Sequence, residues 1–168
     1  MRNYSIAPIA AAVLLALAGS ADAATKTDTF KVNANVQANC IVSATNLNFG
    51  NYRGVAALEG TSNVVVRCTN GSDYTLTLDT GGSNDYATRL MSDGGAGTLE
   101  YNLFTDLAHN SIWGDGTAGN VDVTGTGAGM ALGSAFTHTV FGLLPDNAVN
   151  QAAPAGAYSD TILVTVEY

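Results

Sequence analysis

The sequence predicts an all-β fold, a sandwich of two packed sheets. Three observations lead there. Apolar and polar residues alternate with a period of two in one short run after another, which places the apolar side chains on one face of a strand. Turn-forming residues separate those runs, and glycine alone takes 19 of the 168 positions, the punctuation expected between strands. No segment carries the 3.6-residue apolar period of an amphipathic helix.

The first 23 residues read as a secretory signal peptide rather than as part of the fold. Arg2 gives a short positive start, Ile6–Ala18 is an apolar run, and Ala21-Asp22-Ala23 is a small-x-small cleavage site. The run is too short to span a bilayer, and no later stretch is long enough. The mature chain is therefore expected to begin at Ala24, to leave the cytoplasm and to insert in no membrane. The residues after Ala23 are the size of one domain. The net charge is −8, and removing Arg2 and Asp22 leaves it unchanged. So few Lys and Arg leave no electrostatic footprint for nucleic acid and no basic face for anionic lipid.

Each element follows from local pattern. In Thr29–Val36, Phe30, Val32, Ala34 and Val36 alternate with Lys31, Asn33 and Asn35, which predicts a strand ahead of the first cysteine. Few turn residues follow to fold it back onto its own neighbour. Residues 24–38 are accordingly read as a separate N-terminal segment and 39–168 as the domain. Ile41–Val42 continues an extended stretch after Cys40, and Leu47–Tyr52 alternates until Gly54 breaks it. Thr61–Thr69 is the next strand. Asn70-Gly71 is the strongest short hairpin signal in the chain and is preferred as a turn over a glycosylation sequon. Tyr74, Leu76 and Leu78 form the inner face of a strand that Gly81-Gly82 ends.

Arg89–Met91 reads as a short edge piece, and Leu99, Tyr101 and Leu103 as a further strand. Gly114–Gly133 reads as loop, with seven glycines and little apolar periodicity. Ala135–Leu143 is extended, and Pro145 to Pro154 is a connection. Tyr158–Tyr168 closes the chain. It carries Ile162, Val164, Val166 and Tyr168 on one face, and Thr161, Leu163, Thr165 and Glu167 on the other.

Cys40 and Cys68 are the two cysteines, and an even pair in an exported chain predicts a disulfide. Their spacing is far from C-x-x-C, and two thiols alone do not make a zinc site. From Cys40 onward about six substantial strands are predicted, against roughly seven for an immunoglobulin-like sandwich. A sandwich missing a strand exposes an apolar groove and an unpaired edge, which a strand from a second copy fills by β-strand addition. The same count also allows Thr29–Val36 to be the first strand of a complete domain.

A set of short motifs in order carries a family resemblance. It comprises Cys40-x-Val42, Leu47-x-Phe49-Gly50-x-Tyr52, Val66-x-Cys68-Thr69-x-Gly71 and Tyr74-x-Leu76-x-Leu78-Asp79. Arg89-x-Met91, Leu99-x-Tyr101-x-Leu103-x-x-Asp106 and Trp113-Gly114-Asp115-Gly116 follow. Gln151-x-x-Pro154-Ala155-Gly156-x-Tyr158-x-Asp160 and Val164-x-Val166-x-Tyr168 complete it. The chain resembles the spore coat protein U domain family, which includes the pilins of Csu-like archaic chaperone–usher pili. The resemblance implies an incomplete immunoglobulin-like sandwich, completed in a fibre by the N-terminal strand of the neighbouring subunit. It implies three partners: homologous pilin subunits, a periplasmic chaperone and an outer-membrane usher. It implies export through the periplasm to a surface pilus that serves adhesion and biofilm formation. On this sequence the donor side chains are Phe30, Val32, Ala34 and Val36. The terminal strand with Ile162, Val164, Val166 and Tyr168 is one wall of the groove and the strand expected to pair with the chaperone. Related pilins often carry an aromatic next to the last residue, whereas Tyr168 is the last residue itself.

Other chemistry has weaker signals. Asp106-x-x-His109 is within reach of one metal ion on paper, but His138 sits on an alternating strand beside Phe136 and Val140, where partial burial or an edge position accounts for it. No G-x-S-x-G elbow accompanies either histidine. Acidic pairs such as Asp79/Asp85 and Glu100/Asp106 mimic a glycosidase only on paper, since carboxylates in turns are far commoner. Gly125-x-Gly127-x-Gly129 lacks the strand and helix of a dinucleotide site. Trp113 in its Gly-rich loop is read as a core anchor ahead of a sugar-contacting aromatic. No cofactor and no enzymatic activity are expected. The alternative to a fibre subunit is a self-contained secreted module, spore-coat-like or carbohydrate-binding. A single domain argues against a tip adhesin, which carries an additional receptor-binding domain.

Overall fold

Alternation becomes two antiparallel sheets in the computed structural model, which describes residues 23–168. The signal-peptide expectation falls almost wholly outside the described residues. Val36–Tyr168 forms one compact unit, and the residues before Val36 belong to another.

The larger sheet has five strands in the order β1-β2-β7-β5-β4, and the smaller has three in the order β6-β3-β8. The strands are β1 (Cys40–Ala44), β2 (Leu58–Cys68), β3 (Asp73–Leu78), β4 (Arg89–Ser92), β5 (Thr98–Phe104), β6 (Val123–Thr126), β7 (Phe136–Leu144) and β8 (Val164–Glu167). β2, β3 and β7 follow the period-two rule most plainly. Ser62, Val64, Val66 and Cys68 of β2 are buried while Thr61 and Asn63 are exposed. Tyr74, Leu76 and Leu78 of β3 face them from the other sheet and complete one hydrophobic core with Leu99, Tyr101, Leu103, Val140 and Leu144. The result is an immunoglobulin-like sandwich with one disulfide, Cys40–Cys68. The two cysteines are direct cross-strand partners in the β1–β2 register.

Trp113 is fully buried between the sheets. Its indole N–H donates to the Leu76 carbonyl at 3.2 Å, so the aromatic in the Gly-rich loop is the core anchor expected of it. Beside it lies Arg89, also fully buried. Its guanidinium donates to the carbonyls of Asp79 (2.8 and 3.0 Å) and Trp113 (2.7 Å) and to Asn102 Oδ1 (2.6 Å). It also lies 5.5 Å from the Tyr86 ring centroid. Burial pulls its pKa down, opposed by nearby Tyr101, Tyr86, Asp79 and Asp160. An arginine fork bonded this way ties the ends of β3 and β5 to the Trp113 loop.

Five expectations need correction. Asn70-Gly71 is a turn but not a hairpin: β2 and β3 lie in different sheets, and the turn carries the chain across. Gly71 takes φ +79°, and Ser72 N–H donates to Thr69 O at 3.0 Å. Leu47–Tyr52 is extended but pairs with no strand; its apolar residues pack on the core from outside the ladders. The stretch Gly114–Gly133 is not all loop. It contains β6, whose Gly125 sits where any side chain would collide with Tyr74, so the strand shows no apolar alternation. The connection after Pro145 contains one helical turn, α1 (Ala148–Gln151), capped by Asn147 accepting from Asn150 N–H at 2.9 Å. The last strand is shorter than Tyr158–Tyr168, with only Val164–Glu167 in the ladder. Eight strands lie between Cys40 and Glu167, so the strand count by itself does not argue for a missing strand.

Candidate functional site

The last strand of the smaller sheet and the first strand of the larger one are both sheet edges. β8 pairs only with β3, in a register of Leu76 with Val166 and Leu78 with Val164. β1 pairs only with β2. The two edges approach each other along part of their length, and beyond the Ala44 end of β1 the sandwich is open. A cavity of about 600 Å³ runs from Ala44 and Leu47 to Ile162 and Val164, and its floor is the core itself: Val64, Leu78, Leu103 and Val140. A second cavity of about 690 Å³ continues past Phe49 toward Tyr52, Leu144 and Pro154. Leu47, Asn48, Phe49, Met91 and Tyr158 line both, so the two form one groove straddling the Leu47–Phe49 segment.

Leu47 and Phe49 reach the floor because two glycines face each other beneath them. Gly60 and Gly142 are register partners in β2 and β7. A β-carbon on Gly142 would lie 2.7 Å from Leu47 and 2.9 Å from Phe49. Phe49 also meets the Tyr101 ring edge-on at 6.1 Å.

Carboxylates reinforce a few backbone bonds in the segment that leads into β8: Ser92 and Ser159 exchange backbone bonds at 3.0 Å, and Asp79 N–H donates to Leu163 O at 3.1 Å. Asp160 accepts from the Tyr101 hydroxyl at 2.6 Å, from Gly82 N–H at 3.1 Å and from Thr161 N–H at 2.8 Å. Burial, then the bond and charge of Asp160, push the Tyr101 hydroxyl far above its ordinary pKa. Asp79 Oδ1 accepts from Leu163 N–H at 2.9 Å, one step beyond the last rung of β8. Ile162 and Val164 therefore point into the groove while Leu163, on the opposite face, is exposed.

The expected site residues are placed unevenly. Ile162, Val164 and Val166 are half-buried against the core, and the first two line the groove. Tyr168 is 59 % exposed and lies instead beside Asp73, Thr126 and Glu167 in a shallow recess on the outer face. Phe30, Val32 and Val36 are 80–88 % exposed, Ala34 is exposed too, and residues 23–39 form no strand. A strand without a neighbour leaves its backbone donors and acceptors unpaired, so alternation alone does not produce one. Groove residues from outside the strands, Leu47, Phe49 and Tyr158, together with Met91 of β4, were legible only as apolar residues.

The histidines occupy structural positions. His109 takes φ 56° in a turn and packs its ring against Phe104 at 5.0 Å. Asp106 accepts from Asn110 and Ser111 N–H in that same turn, which lowers its pKa. His138 Nε2 lies 3.0 Å from the Tyr74 hydroxyl, a bond between the two sheets, and burial lowers its pKa.

An apolar floor bounded by two unpaired backbone edges is suited to an extended peptide with alternating apolar side chains. No helix among the described residues is long and apolar enough to cross a membrane.

Comparison with known proteins agrees with this architecture. Protein U of Myxococcus xanthus is 30% identical over 183 aligned positions, which take in 98% of this chain and 97% of that protein. Among solved structures, the CsuC-CsuE chaperone-tip adhesion subunit pre-assembly complex from archaic chaperone-usher Csu pili of Acinetobacter baumannii contains a similar chain. It matches with a TM-score of 0.55 and 26% identity, over 79% of this chain and 40% of that one. This chain thus spans less than half the length of that structural relative. The family model of the Spore Coat Protein U domain matches residues 26–165, from ahead of the groove's first wall into its last, and the chain belongs to that family.

Proposed function

We propose that this chain is a subunit of a secreted surface pilus, built by donating its N-terminal strand to the groove of a neighbouring copy. The observation that carries the reading is the open groove beyond the Ala44 end of β1, beside Ile162 and Val164, together with an exposed, apolar-alternating segment in the same chain. Phe30, Val32, Ala34 and Val36 are the inserted side chains. Burying them contributes on the order of 6–8 kcal/mol, at about 1.5–3 per large side chain. Each ladder bond along β8 or β1 adds roughly 0.5–1.5 kcal/mol.

Similarity to a chain solved in a chaperone–subunit complex supports a periplasmic chaperone as the partner that covers the groove before assembly. In this reading the chaperone pairs with the β8 edge through Ile162, Val164 and Val166, with Tyr168 at the rim. An outer-membrane usher exchanges the chaperone for the donor strand, and the fibre serves adhesion and biofilm formation.

Deleting residues 24–36 tests the proposal. The truncated subunit is expected to fold, to bind a chaperone and to form no fibres. Fibres from the truncated chain overturn it. A mature protein that is monomeric, cooperative and heat-stable without any chaperone would favour the alternative, a self-contained secreted coat module, the reading that the family's name supports.

A further inference from the structure

Three residues, Gln37–Asn39, connect the donor segment to β1. Hairpin loops of that length are common. Length therefore does not prevent the chain from turning back and filling its own groove, and a self-closed subunit would be a dead end for assembly. Something else must set the direction of exit.

Thr69 sits directly beyond Cys68 and opposite Asn39. Its N–H donates to Asn39 O at 2.9 Å, which extends the β1–β2 ladder past the disulfide. The reciprocal rung, from Asn39 N–H to the Thr69 carbonyl, is not made: that carbonyl turns toward Ser72 N–H, from which it accepts in the turn that leads to β3. The side chain replaces it. Thr69 Oγ1 accepts from Asn39 N–H at 3.0 Å, and its hydroxyl hydrogen is within reach of Asn39 O (3.3 Å) and Gln37 O (3.4 Å). The stretch Gln37–Asn39 is thereby tied along the β2 side of β1, the side away from the groove. It contains no glycine or proline to favour a reversal.

We propose that Thr69 is a positioning residue that directs the N-terminal segment out of its own groove and so selects a neighbouring copy over self-closure. The inference rests on the donor-strand reading above and adds the residue that sets its direction. To close on itself, the chain must break the Thr69 bonds to Gln37 and Asn39. Removing the hydroxyl while keeping the β-branched shape lowers that barrier and shifts the balance between self-closure and exchange. The loss of one or two such bonds amounts to roughly tenfold.

The test uses the full chain from Ala24, refolded with its disulfide formed, as wild type, Thr69→Val and Thr69→Ser. Fibre yield is read by sedimentation. Hydrogen exchange of residues 29–36 is read on the monomer fraction. Thr69→Val is expected to raise the ratio of non-assembling monomer to fibre roughly tenfold. Its 29–36 amides should be protected within the monomer, and Thr69→Ser should restore wild-type behaviour. An Asn-Gly insertion after Ala38 leaves Thr69 intact, supplies a turn, and should give the same self-closed monomer even if the valine variant folds poorly. Unprotected 29–36 amides and wild-type fibre yield in both Thr69→Val and the insertion overturn the proposal. Failure of the donor reading itself is distinguishable: fibres then form equally from the chain lacking residues 24–36.

Discussion

Gly60 and Gly142 face each other across β2 and β7, and the missing side chains leave the space that Leu47 and Phe49 occupy. A methyl group added at Gly142 would lie 2.7 Å from Leu47 and 2.9 Å from Phe49. Gly142→Ala is expected to push the Leu47–Phe49 segment outward and to cost about 1–3 kcal/mol, the usual penalty of overpacking. Thermal unfolding measures the loss. An unchanged midpoint would mean that the segment is free to move off the sheet.

Arg89 donates to three different acceptor groups from a fully buried position. Arg89→Lys keeps the charge but replaces a planar fork by one ammonium, which cannot reach Asp79 O, Trp113 O and Asn102 Oδ1 together. The expected loss is about 3–5 kcal/mol in denaturant unfolding, comparable with breaking a buried ion pair. A loss below about 1 kcal/mol, the size of one neutral hydrogen bond, would contradict the shared-fork account.

The Cys40–Cys68 bond closes a sequence separation of 28 residues. In the chain-entropy model such a loop contributes roughly 3–4 kcal/mol. The Cys40→Ala/Cys68→Ala double variant should lower the urea midpoint, with a steeper slope because the uncrosslinked unfolded chain is more expanded. An unchanged midpoint would contradict the chain-entropy account.

The Tyr52 hydroxyl donates to Asp146 Oδ1 at 2.5 Å, tying the groove-lining segment to the loop after β7. Burial first, then the bond and charge of Asp146, push its pKa up to about 12. A raised folded value means that the interaction's stabilisation is complete below the unfolded tyrosine pKa of ~10. It is lost as the pH rises through about 12. Near-ultraviolet titration of wild type against Tyr52→Phe should show one tyrosine missing from the late-titrating group. Loss of a tyrosine from the ordinary range instead would refute the coupling.

Much of this fold was legible in the sequence because alternation is a local signal. β2, β3, β5 and β7 each present buried residues at every second position, and all four were found. β6 was missed because Gly125 lies beneath Tyr74 and Thr124 and Thr126 face solvent, so the strand has no apolar partner residue to alternate with. The Asn70-Gly71 turn was read correctly as a turn and wrongly as a hairpin. Turn chemistry fixes the local bend, whereas the sheet that the next strand joins depends on distant partners, here β6 and β8. Within the groove, Ile162 and Val164 followed from periodicity. The carboxylates of Asp79 and Asp160 that hold their segment did not, since a charged residue beside Gly or Thr looks the same in any turn. Arg89 read as part of an edge strand, and nothing local marked it as buried.

The disulfide has a mechanical consequence. Tension applied to the chain ahead of Gln37 meets the Thr69 bonds to Gln37 and Asn39 first and then Cys40, the first residue of an edge strand, where hydrogen bonds would otherwise be peeled off singly. Once the Thr69 bonds give, Cys68 takes the load covalently and passes it to β2, which is flanked by a strand on each side. One wall of the cleft thus keeps its place under pulling, because the weakest strand is never asked to bear the force alone.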